Sequence, residues 1–438
     1  MCGFAVTNKD VNLEDSNFFC KKRGPDLTNV ERINGISFLH NLLHITGEMT
    51  PQPFVSKDVV CLLNGEIYNY NDFGDYKSDG ECLIPLYKEY GLEFGKMLDG
   101  EFSICIIDFK SSNLILVNDT FATKPLWFAT DGDHFGAASY ESSLRLIGFD
   151  KVEKVAGNYA WKFDLKTLEE KDTLQLKRFD LKQHKNSYDD WIEAFEKSIL
   201  KRVSNTCQKI FLGLSAGYDS GAIACELLKQ NVEFKAYTIL AREDKGIINE
   251  RHAKFNEGEI IGLTEKEFYD IENYINENCE NFIYKDKFKD YNIKNDKASK
   301  GLGAICSRAN KDGRRIYFSG QGADEIISDY GHNGKKVYSH SSFGGLFPDN
   351  LNGFFPWHSF YDGTQIQYLN KEEYVAGSYG IETRYPFLDV ELVQEFLWLT
   401  SNLKNKEYKA PLTEYLSRNN FPFQRGVKTG FSARANLR

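Results

Sequence analysis

No stretch of the sequence is apolar for the roughly 18 residues that a membrane-spanning helix needs, so no membrane partner is expected. The N-terminal segment MCGFAVTNKD has neither the basic nor the apolar region of a secretory signal, which indicates a cytoplasmic protein. An excess of positive charge is also lacking, since 54 lysines and arginines stand against 63 aspartates and glutamates, a formal net charge of −9. No nucleic-acid partner is therefore expected, because such proteins usually present a basic surface.

Closely spaced cysteine pairs are absent as well, because none of the nine cysteines stands in a CxxC motif. Most of them lie in apolar stretches, such as Cys61 in VVCLLNG and Cys105 in FSICIIDF. All except Cys2 are interpreted as reduced thiols of a cytoplasmic protein. Cys2 is different because it directly follows the initiator methionine and export does not explain its position.

Two kinds of pattern are present in the chain. Up to about residue 180, short strand-like runs such as FSICIIDF and NLILVND dominate, with the helix-like segment ECLIPLYKEYG between them. The polar segment 176–187 is predicted to be a linker. After it, KIFLGL, SAGYDSG, AIACELLK and FKAYTIL indicate strand, loop, helix and strand, the unit of a parallel sheet. We therefore predict two domains, residues 2–180 and residues 187–438.

The position of Cys2 has a chemical consequence. Removal of Met1 leaves a free α-amine on the residue that carries the thiol, and an α-amine with a pKa of about 8 can act as the base for its own side chain. Asn64 and Gly65 suit such a site, because a side-chain amide and a backbone N–H can stabilise an oxyanion. The same Asn-Gly pair between two apolar runs also predicts a hairpin turn, and both interpretations stay open.

Several segments in the first part of the chain extend this interpretation. They are MCGF at the start, RGPD at Arg23–Asp26, LNGEIYN at Leu63–Asn69, SDGE at Ser78–Glu81, LDGEFSICIID at Leu98–Asp108 and KPLWF at Lys124–Phe128. In this order they resemble the glutaminase domain of B-type asparagine synthetases.

The resemblance implies that Cys2 is the nucleophile and that Asn64 and Gly65 form the oxyanion hole. It implies that Glu66 lines the glutamine pocket and that Asp79 binds the α-amine of glutamine. The implied fold is that of an N-terminal-nucleophile hydrolase, an αββα sandwich in which two antiparallel sheets lie between helices.

The loop SAGYDSG indicates an anion site, because a loop between a strand and a helix points backbone N–H groups and the helix N-terminus at one place. It lacks the GxxxxGK[ST] pattern of a Walker loop but is similar to the SGGxDS loop of enzymes that cleave ATP to AMP and pyrophosphate. ATP is therefore predicted to bind at Leu214, Ser215, Gly217, Asp219 and Ser220. Asp219 can hold Mg²⁺ against the phosphates, because this ion prefers carboxylate and phosphate oxygens.

Later segments resemble the synthetase domain of the same family. They are SGQGADE at Ser319–Glu325, ETRYPFLD at Glu382–Asp389, YKAPL at Tyr408–Leu412 and GVKTGF at Gly426–Phe431. The resemblance implies an ATP-pyrophosphatase domain with a parallel sheet, similar to the adenine nucleotide alpha hydrolases. In it, Ser319 and Gly320 would contact ATP, and Asp219 and Asp324 would bind Mg²⁺. Lys409 would neutralise charge on the transferring phosphoryl region.

Leu42 and Pro411 depart from the family pattern. Leu42 stands where the family has an arginine that grips the α-carboxylate of glutamine, so another donor, such as Arg23 or Arg32, would have to replace it. Pro411 stands where the family has a residue inside a helix, which predicts a local kink.

Gln321 occupies a catalytic position in the resemblance and is the sharpest departure. The family has a glutamate there, proposed to take a proton from ammonia, and glutamine cannot accept a proton at neutral pH. The candidates to accept that proton instead are the leaving phosphate, Glu325, Tyr330 and Glu382. A second interpretation is that Gln321 marks a different acceptor, because its amide can hydrogen-bond a sugar hydroxyl where a glutamate would repel a second carboxylate.

The first-choice function is glutamine-dependent amide synthesis. Cys2 would hydrolyse glutamine to ammonia, and the second domain would use ATP to adenylate aspartate, giving asparagine with release of AMP and pyrophosphate. One alternative keeps this chemistry but uses a uronic acid of a nucleotide sugar or glycan, or a specialised metabolite. Another is a non-catalytic regulatory homologue. The expected partners are glutamine and a small-molecule carboxylate, and the resemblance suggests a homodimer.

Overall fold

The computed structural model describes residues 2–240, 243–285, 290–428 and 431. The first twelve strands are β1 (Gly3–Thr7), β2 (Leu27–Ile33), β3 (Ile36–Leu42), β4 (Phe54–Ser56), β5 (Val59–Ile67), β6 (Gly100–Asp108), β7 (Asn113–Asn118), β8 (Trp127–Asp131), β9 (His134–Ala138), β10 (Glu153–Lys154), β11 (Tyr159–Asp164) and β12 (Glu170–Gln175). The later strands are β13 (Lys209–Gly213), β14 (Phe234–Ile239), β15 (Gly258–Ile261), β16 (Ile283–Lys285), β17 (Asp290–Asn292), β18 (Arg314–Phe318), β19 (Gly331–His332), β20 (Lys335–Lys336) and β21 (Glu382–Arg384).

Helices occur along the whole described chain. They are α1 (Cys20–Arg23), α2 (Leu83–Tyr90), α3 (Phe94–Met97), α4 (Glu141–Leu146), α5 (Asp189–Val203), α6 (Tyr218–Lys229), α7 (Lys245–His252), α8 (Glu265–Asn278), α9 (Lys297–Lys311), α10 (His358–Tyr361), α11 (Thr364–Ser378), α12 (Val390–Trp398), α13 (Ser401–Lys404) and α14 (Ala410–Arg418). In the described part of the chain, none of them is long and apolar enough to cross a membrane.

The first twelve strands form two antiparallel six-stranded sheets, in the orders β10-β8-β9-β1-β3-β2 and β12-β11-β7-β6-β5-β4. Because successive residues of a strand face opposite sides, β5 buries Val60 and Leu62 between the sheets, where they meet Phe4 of β1. Leu63 faces the other way, toward α2. On the far side of the first sheet, α4 packs through Leu144. The layers are helix, sheet, sheet and helix, and the predicted αββα sandwich is confirmed.

Asn64 and Gly65 do not form the hairpin turn that their sequence allows. Both lie inside β5, where they pair with Ser103 and Phe102 of β6. Gly65 has a φ of 134°, and a Cβ atom at this position would lie 1.9 Å from the carbonyl oxygen of Glu101. Only glycine fits such a close approach of two strands, so neighbouring backbone rather than a turn fixes this pair.

A parallel sheet with the order β15-β14-β13-β18-β21 forms the centre of the second part of the chain. Its central strands β13, β14 and β18 bury apolar residues on both faces, as expected for a sheet covered on both sides, whereas the edge strand β21 is polar but buried. Ile210 and Leu212 of β13 pack with α5, α6 and α14, whereas Phe211 between them faces α8, α9 and α11. The strand, loop and helix of the predicted unit are β13, residues 214–217 and α6, and the predicted parallel sheet is confirmed.

Pro411 lies in the first turn of α14, which begins at Ala410. A backbone N–H in the first turn has no partner within the helix, so proline costs nothing there. The local kink predicted at this position is therefore wrong.

A buried network of charges joins the sandwich to the parallel sheet. Arg202 of α5 lies 2.7 Å from Glu101 of β6 and 2.9 Å from Asp389 before α12. Lys124 lies 2.9 Å from Glu373 of α11 and 3.5 Å from Glu101. Opposite charges compensate one another for the loss of water, and such pairs require precise geometry. The network thus fixes the position of the sandwich relative to the parallel sheet.

Candidate functional site

Cys2 lies directly before β1, in a small pocket of about 30 Å³ that β3, β5 and the turn Asp79–Cys82 enclose. Its side chain is 6% exposed, and Sγ lies 3.9 Å from the carbonyl oxygen of Leu43, to which it donates a weak hydrogen bond. Burial raises the pKa of the Cys2 thiol to about 11. At neutral pH the thiol therefore needs a base before it can act as a nucleophile.

The buried guanidinium group of Arg23 connects Cys2 with Asn64. Its Nε donates to the carbonyl oxygen of Cys2 at 2.9 Å, and Nη2 donates to Oδ1 of Asn64 at 3.3 Å. The same Nη2 donates to Glu373 at 2.9 Å. Because Oδ1 of Asn64 faces Arg23, the amide nitrogen points elsewhere, toward Ser103 at 3.4 Å. The structure thus brings together Cys2 and Asn64, which are far apart in the sequence.

Neither arginine that was expected to replace the missing one lines this pocket. The side chain of Leu42 does line it, as an apolar wall. Arg23 forms an ion pair with Glu373, and Arg32 lies on β2, 3.3 Å from Asp10. Another pocket residue, Ser78, has a buried Oγ with no hydrogen-bond partner among the described residues. This hydroxyl is an available hydrogen-bond donor in the pocket that the sequence did not single out.

Glu66 and Asp79 contribute two carboxyl groups to the same pocket. Asp79 accepts a hydrogen bond from the N–H of Ile67 at 2.9 Å. Burial, with the charge of Glu382, raises the pKa of Asp79 to about 6 and raises the pKa of Glu66 well above its usual range. Arg384 lies 3.7 Å from Glu66 and 2.8 Å from Glu382, so it joins this pocket to β21.

The loop between β13 and α6 is held by its own hydroxyl groups. Ser220 Oγ accepts from the N–H of Ser215 at 3.0 Å, and Ser215 Oγ accepts from the N–H of Gly217 at 3.1 Å. Arg251 donates to the carbonyl oxygens of Gly217, at 2.9 Å, and Ser215. Because Arg251 holds these carbonyl oxygens, the first turn of α6, which includes Asp219, lies at one end of the parallel sheet.

Leu214 and Ser319 end two adjacent strands at that same end of the sheet. Leu214 follows β13 and donates its N–H to Tyr237, and Ser319 follows β18 and donates its N–H to Arg384. Gly320 packs against Asp219, since a Cβ atom at Gly320 would lie 2.8 Å from the Cβ of Asp219. Ligand sites of parallel sheets form at the carboxyl ends of the strands, which is where these residues meet.

Lys409 lies between the two acidic residues of this site. Its Nζ is 2.6 Å from Asp219 and 2.8 Å from Asp324, and Lys428 also contacts Asp324. Although burial opposes it, the charge of the two lysines holds the pKa of Asp324 well below its usual range. Lys409 adopts a left-handed conformation, with φ of 47°, directly before α14, and this turns its side chain toward the sheet.

The donor set at this place fits Mg²⁺ bound together with phosphate. Two carboxylates that share one ammonium group are close enough to share a divalent cation, and Mg²⁺ typically takes one or two carboxylates plus phosphate and water oxygens. Nowhere in the described ranges do three or more potential ligand side chains gather. A metal at Asp219 and Asp324 would therefore depend on the phosphates of a substrate.

A cavity of about 680 Å³ opens beside Asp324 and Lys428. Aromatic side chains form much of its wall; they are Tyr284, Tyr317, Tyr330, Tyr338, His340, His358, Tyr368 and Phe431. Gln321 also faces the cavity and donates its backbone N–H to Ser319 Oγ at 3.0 Å. Its side-chain nitrogen, although close to Glu325, makes no hydrogen bond of good geometry with any described residue.

The three side chains that the sequence suggested as bases are poorly placed. Glu325 is fully buried behind the cavity wall and accepts from the N–H of Gly322 and the hydroxyl of Tyr330. Burial holds the pKa of Tyr330 well above its usual range, so this phenol keeps its proton. Glu382 lies near Cys2 and Glu66, outside the cavity wall.

Glu372 of α11 lines the cavity and was missed by the sequence reasoning. No motif surrounds it, and only the packing of α11 against the parallel sheet brings it to the site.

Comparison with known proteins agrees with this geometry. Residues 1–157 match the family model described as a glutamine amidotransferase domain. The chain is 29% identical to the putative asparagine synthetase (glutamine-hydrolyzing) 1 of Methanocaldococcus jannaschii, over 86% of this chain and 73% of that protein. It is 25% identical to the asparagine synthetase (glutamine-hydrolyzing) of Gallus gallus, over 96% of this chain and 81% of that protein.

Similarity to solved structures is weaker. The glutamine phosphoribosylpyrophosphate amidotransferase from B. subtilis superposes with a TM-score of 0.35 at 12% identity, over 91% of this chain and 92% of that one, which is too low to support an argument. The sequence comparisons thus show a chain that is similar to asparagine synthetases over most of its length and that matches a glutamine amidotransferase domain over residues 1–157.

Proposed function

We propose that the protein is a ligase that takes ammonia from glutamine and joins it to a carboxylate activated with ATP. One observation carries the proposal: a buried thiol pocket at Cys2 and a phosphate-type loop with Lys409, Asp219 and Asp324 occur in one chain, joined by a buried charge network. Hydrolysis of glutamine alone would not need the second site, and ligation with free ammonia would not need the first.

At the first site, Cys2 attacks the side-chain amide carbon of glutamine once its own α-amine is free. Because the buried thiol is protonated at neutral pH, its proton must be removed during the attack, and that α-amine is the base within reach. Gly65 lines the pocket and its N–H stabilises the developing oxyanion, and the amide nitrogen of Asn64 joins it by turning from Ser103 toward the pocket. Ammonia leaves, and water then hydrolyses the thioester to glutamate.

At the second site, the loop from Leu214 to Ser220 binds the phosphates of ATP, since its hydroxyl groups and the N-terminus of α6 favour an anion. The acceptor carboxylate attacks the α-phosphorus, and pyrophosphate leaves while Lys409 neutralises its charge. Asp219 and Asp324 would hold Mg²⁺, which supplies further neutralisation of the phosphate oxygens. Ammonia displaces AMP from the acyl adenylate and forms the amide.

Two kinds of carboxylate are candidates for the acceptor of this reaction. Aspartate is the acceptor that the names of the relatives suggest. The cavity beside Asp324 favours a second candidate, because its volume of about 680 Å³ is in the range of pockets for ligands much larger than aspartate. Aromatic faces with Gln321, Thr364 and Gln367 between them suit a ring that carries hydroxyl groups. A uronic acid of a nucleotide sugar or glycan meets that description.

Exchange of labelled pyrophosphate into ATP tests the function and separates these acceptors. The purified protein would be given aspartate, a free uronic acid, the same acid on a nucleotide sugar, or an aromatic acid, each without ammonia. We expect exchange that depends on one of them, since adenylation is reversible before ammonia attacks. Exchange with aspartate alone would exclude the larger acceptors. Exchange with none of the acids would contradict the ligase and favour a regulatory role.

Acidic pH is expected to weaken glutamine binding through Asp79. The proposed role of Asp79 requires its carboxylate form, and its pKa is raised to about 6 by burial and by Glu382. As the pH falls through 6 the carboxylate is lost, so the KM for glutamine should rise by about tenfold for each further pH unit. A glutaminase assay between pH 5 and pH 8 measures this.

Two variants serve as controls for the role of Asp79. Asp79→Asn should have a high KM that no longer varies over this range, whereas Glu81→Gln, in the same turn, should keep the wild-type profile. A normal KM in Asp79→Asn would show that another group binds the α-amine.

A further inference from the structure

We propose that Glu372 is the group that accepts the proton of ammonia at the second site, in the role that Gln321 cannot fill. The inference rests on the proposed ligase function. It assigns a catalytic residue that lies outside every motif of the sequence.

The position of Glu372 is set by Ser319. The hydroxyl of Ser319 donates to Oε2 of Glu372 at 2.6 Å and accepts the backbone N–H of Gln321 at 3.0 Å. A single hydroxyl group therefore links Glu372 with the residue that stands where a base was expected. The link holds the carboxylate against the carboxyl end of β18, at the wall of the cavity.

The other carboxylates of the cavity wall are neutralised by lysines. Asp324 contacts Lys409 and Lys428, and Asp296 lies 3.1 Å from Lys371. A carboxylate that is tightly paired with a cation is a weak proton acceptor. Among the residues that the structure describes, no lysine or arginine nitrogen lies within 4.0 Å of Glu372.

The surroundings of Glu372 favour proton uptake near neutral pH. Burial raises its pKa to about 7, although the hydroxyl of Ser319 and the charge of Lys371 oppose the rise. The charged and titratable groups that face it come from α11 itself, from the turn after β18, from β18, from α9 and from the residue after β21; they are Lys371, Glu373, Glu325, Tyr317, Cys306 and Tyr385. A general base works best when its pKa is near the working pH, and such a base contributes roughly 10²–10⁴-fold to rate.

The chemical step is balanced as follows. The nitrogen of ammonia forms a bond to the acyl carbon, and the bond from that carbon to the phosphate oxygen breaks. AMP leaves with the electron pair of the broken bond. One proton of the attacking nitrogen passes to the carboxylate of Glu372, which later returns it to water.

Glu372→Gln, which keeps the shape and removes the base, provides the test. Amide formation from saturating ammonia should fall by about a hundredfold. The wild-type rate should rise with pH through about 7 and then level off, and the variant should lose this rise. Glutaminase activity should be unchanged and pyrophosphate exchange should fall far less than amide formation, which also shows that the variant is folded. The double variant Glu372→Gln with Gln321→Glu should recover much of the rate.

Three results would overturn the assignment. Equal amide formation by Glu372→Gln and the wild type would show that no proton passes through this residue. A raised KM for the acceptor, with the dependence on pH retained, would mean that Glu372 binds the acceptor instead. Loss of the pH dependence in His358→Asn, rather than in Glu372→Gln, would assign the base to that histidine of the cavity wall. Absence of any exchange in the wild type would contradict the ligase itself.

Discussion

Replacement of Cys2 by alanine is expected to abolish both glutamine hydrolysis and glutamine-dependent amide synthesis, while synthesis from added ammonia continues. The loss should reach about four orders of magnitude, because no second thiol lines this pocket among the described residues. Cys2 lines its pocket together with carboxyl, hydroxyl and amide side chains, His44 and apolar side chains. Glutamate release and amide formation, each measured with glutamine and with ammonium chloride, check this prediction.

Cys207→Ala is the matched control for this experiment. Cys207 is exposed and lies outside the residues that line the pocket, so both activities should stay at the wild-type level. A second check concerns the N-terminus, since the mechanism requires Cys2 to carry a free α-amine. Protein that keeps Met1 should hydrolyse glutamine poorly, and mass spectrometry of the active fraction would reveal which form it is. Glutaminase activity that survives Cys2→Ala would rule out the N-terminal mechanism.

Lys409→Met is expected to eliminate the ATP-dependent activity of the second site and to leave glutamine hydrolysis at the first site intact. Pyrophosphate exchange and amide formation from ammonia should fall by about a thousandfold, because a preorganised cation next to the phosphates is lost. Lys409 is also the contact that keeps Asp219 and Asp324 together. Breaking a buried ion pair costs about 3 kcal/mol or more, so the thermal midpoint should fall as well.

Lys406→Met provides the comparison for Lys409→Met. It makes the same chemical change three residues earlier, at an exposed lysine, and should alter neither exchange nor stability. Glutaminase activity of Lys409→Met should remain, because Cys2 and its pocket lie in the other part of the chain. If exchange survived in Lys409→Met, the charge at the phosphates would have to come from elsewhere, and Lys428 would be the first residue to test.

The two sites differ in how much of their geometry follows from local sequence. Within the loop from Leu214 to Ser220, the bonds made by its own hydroxyl groups join residues at most five positions apart, although Arg251 also holds two of its carbonyl oxygens from farther along the chain. Such a loop is predictable because the strand before it and the helix after it are encoded next to it. Asn64 and Gly65 show the opposite case. Their local signal favours a turn, and a neighbouring strand keeps them extended, because the close contact of Gly65 with Glu101 exists only in the assembled sheet.

The sequence could not decide which residue replaces the arginine that is missing at Leu42. Arg23 was a reasonable replacement for the charge lost at Leu42. In the fold it is fully buried and is bound to Glu373, 350 positions later in the chain. A buried cation without a partner is so costly that the nearest available carboxylate takes it. Arg23 therefore supports Cys2 and Asn64 from behind and does not reach the pocket.

The sequence by itself determined the chemistry of the thiol, the phosphate-type loop, the alternation of the strands and the parallel sheet, because each depends on residues that are close in the chain. Only the tertiary structure decided which side chains complete the sites. Glu372 reaches Ser319 across 53 positions, and Lys409 reaches Asp219 across 190. Long-range packing sets such contacts, since burial and charge pairing act between whichever elements the fold makes neighbours. The proton acceptor that the motif lacks at Gln321 was therefore found on α11, in the assembled cavity.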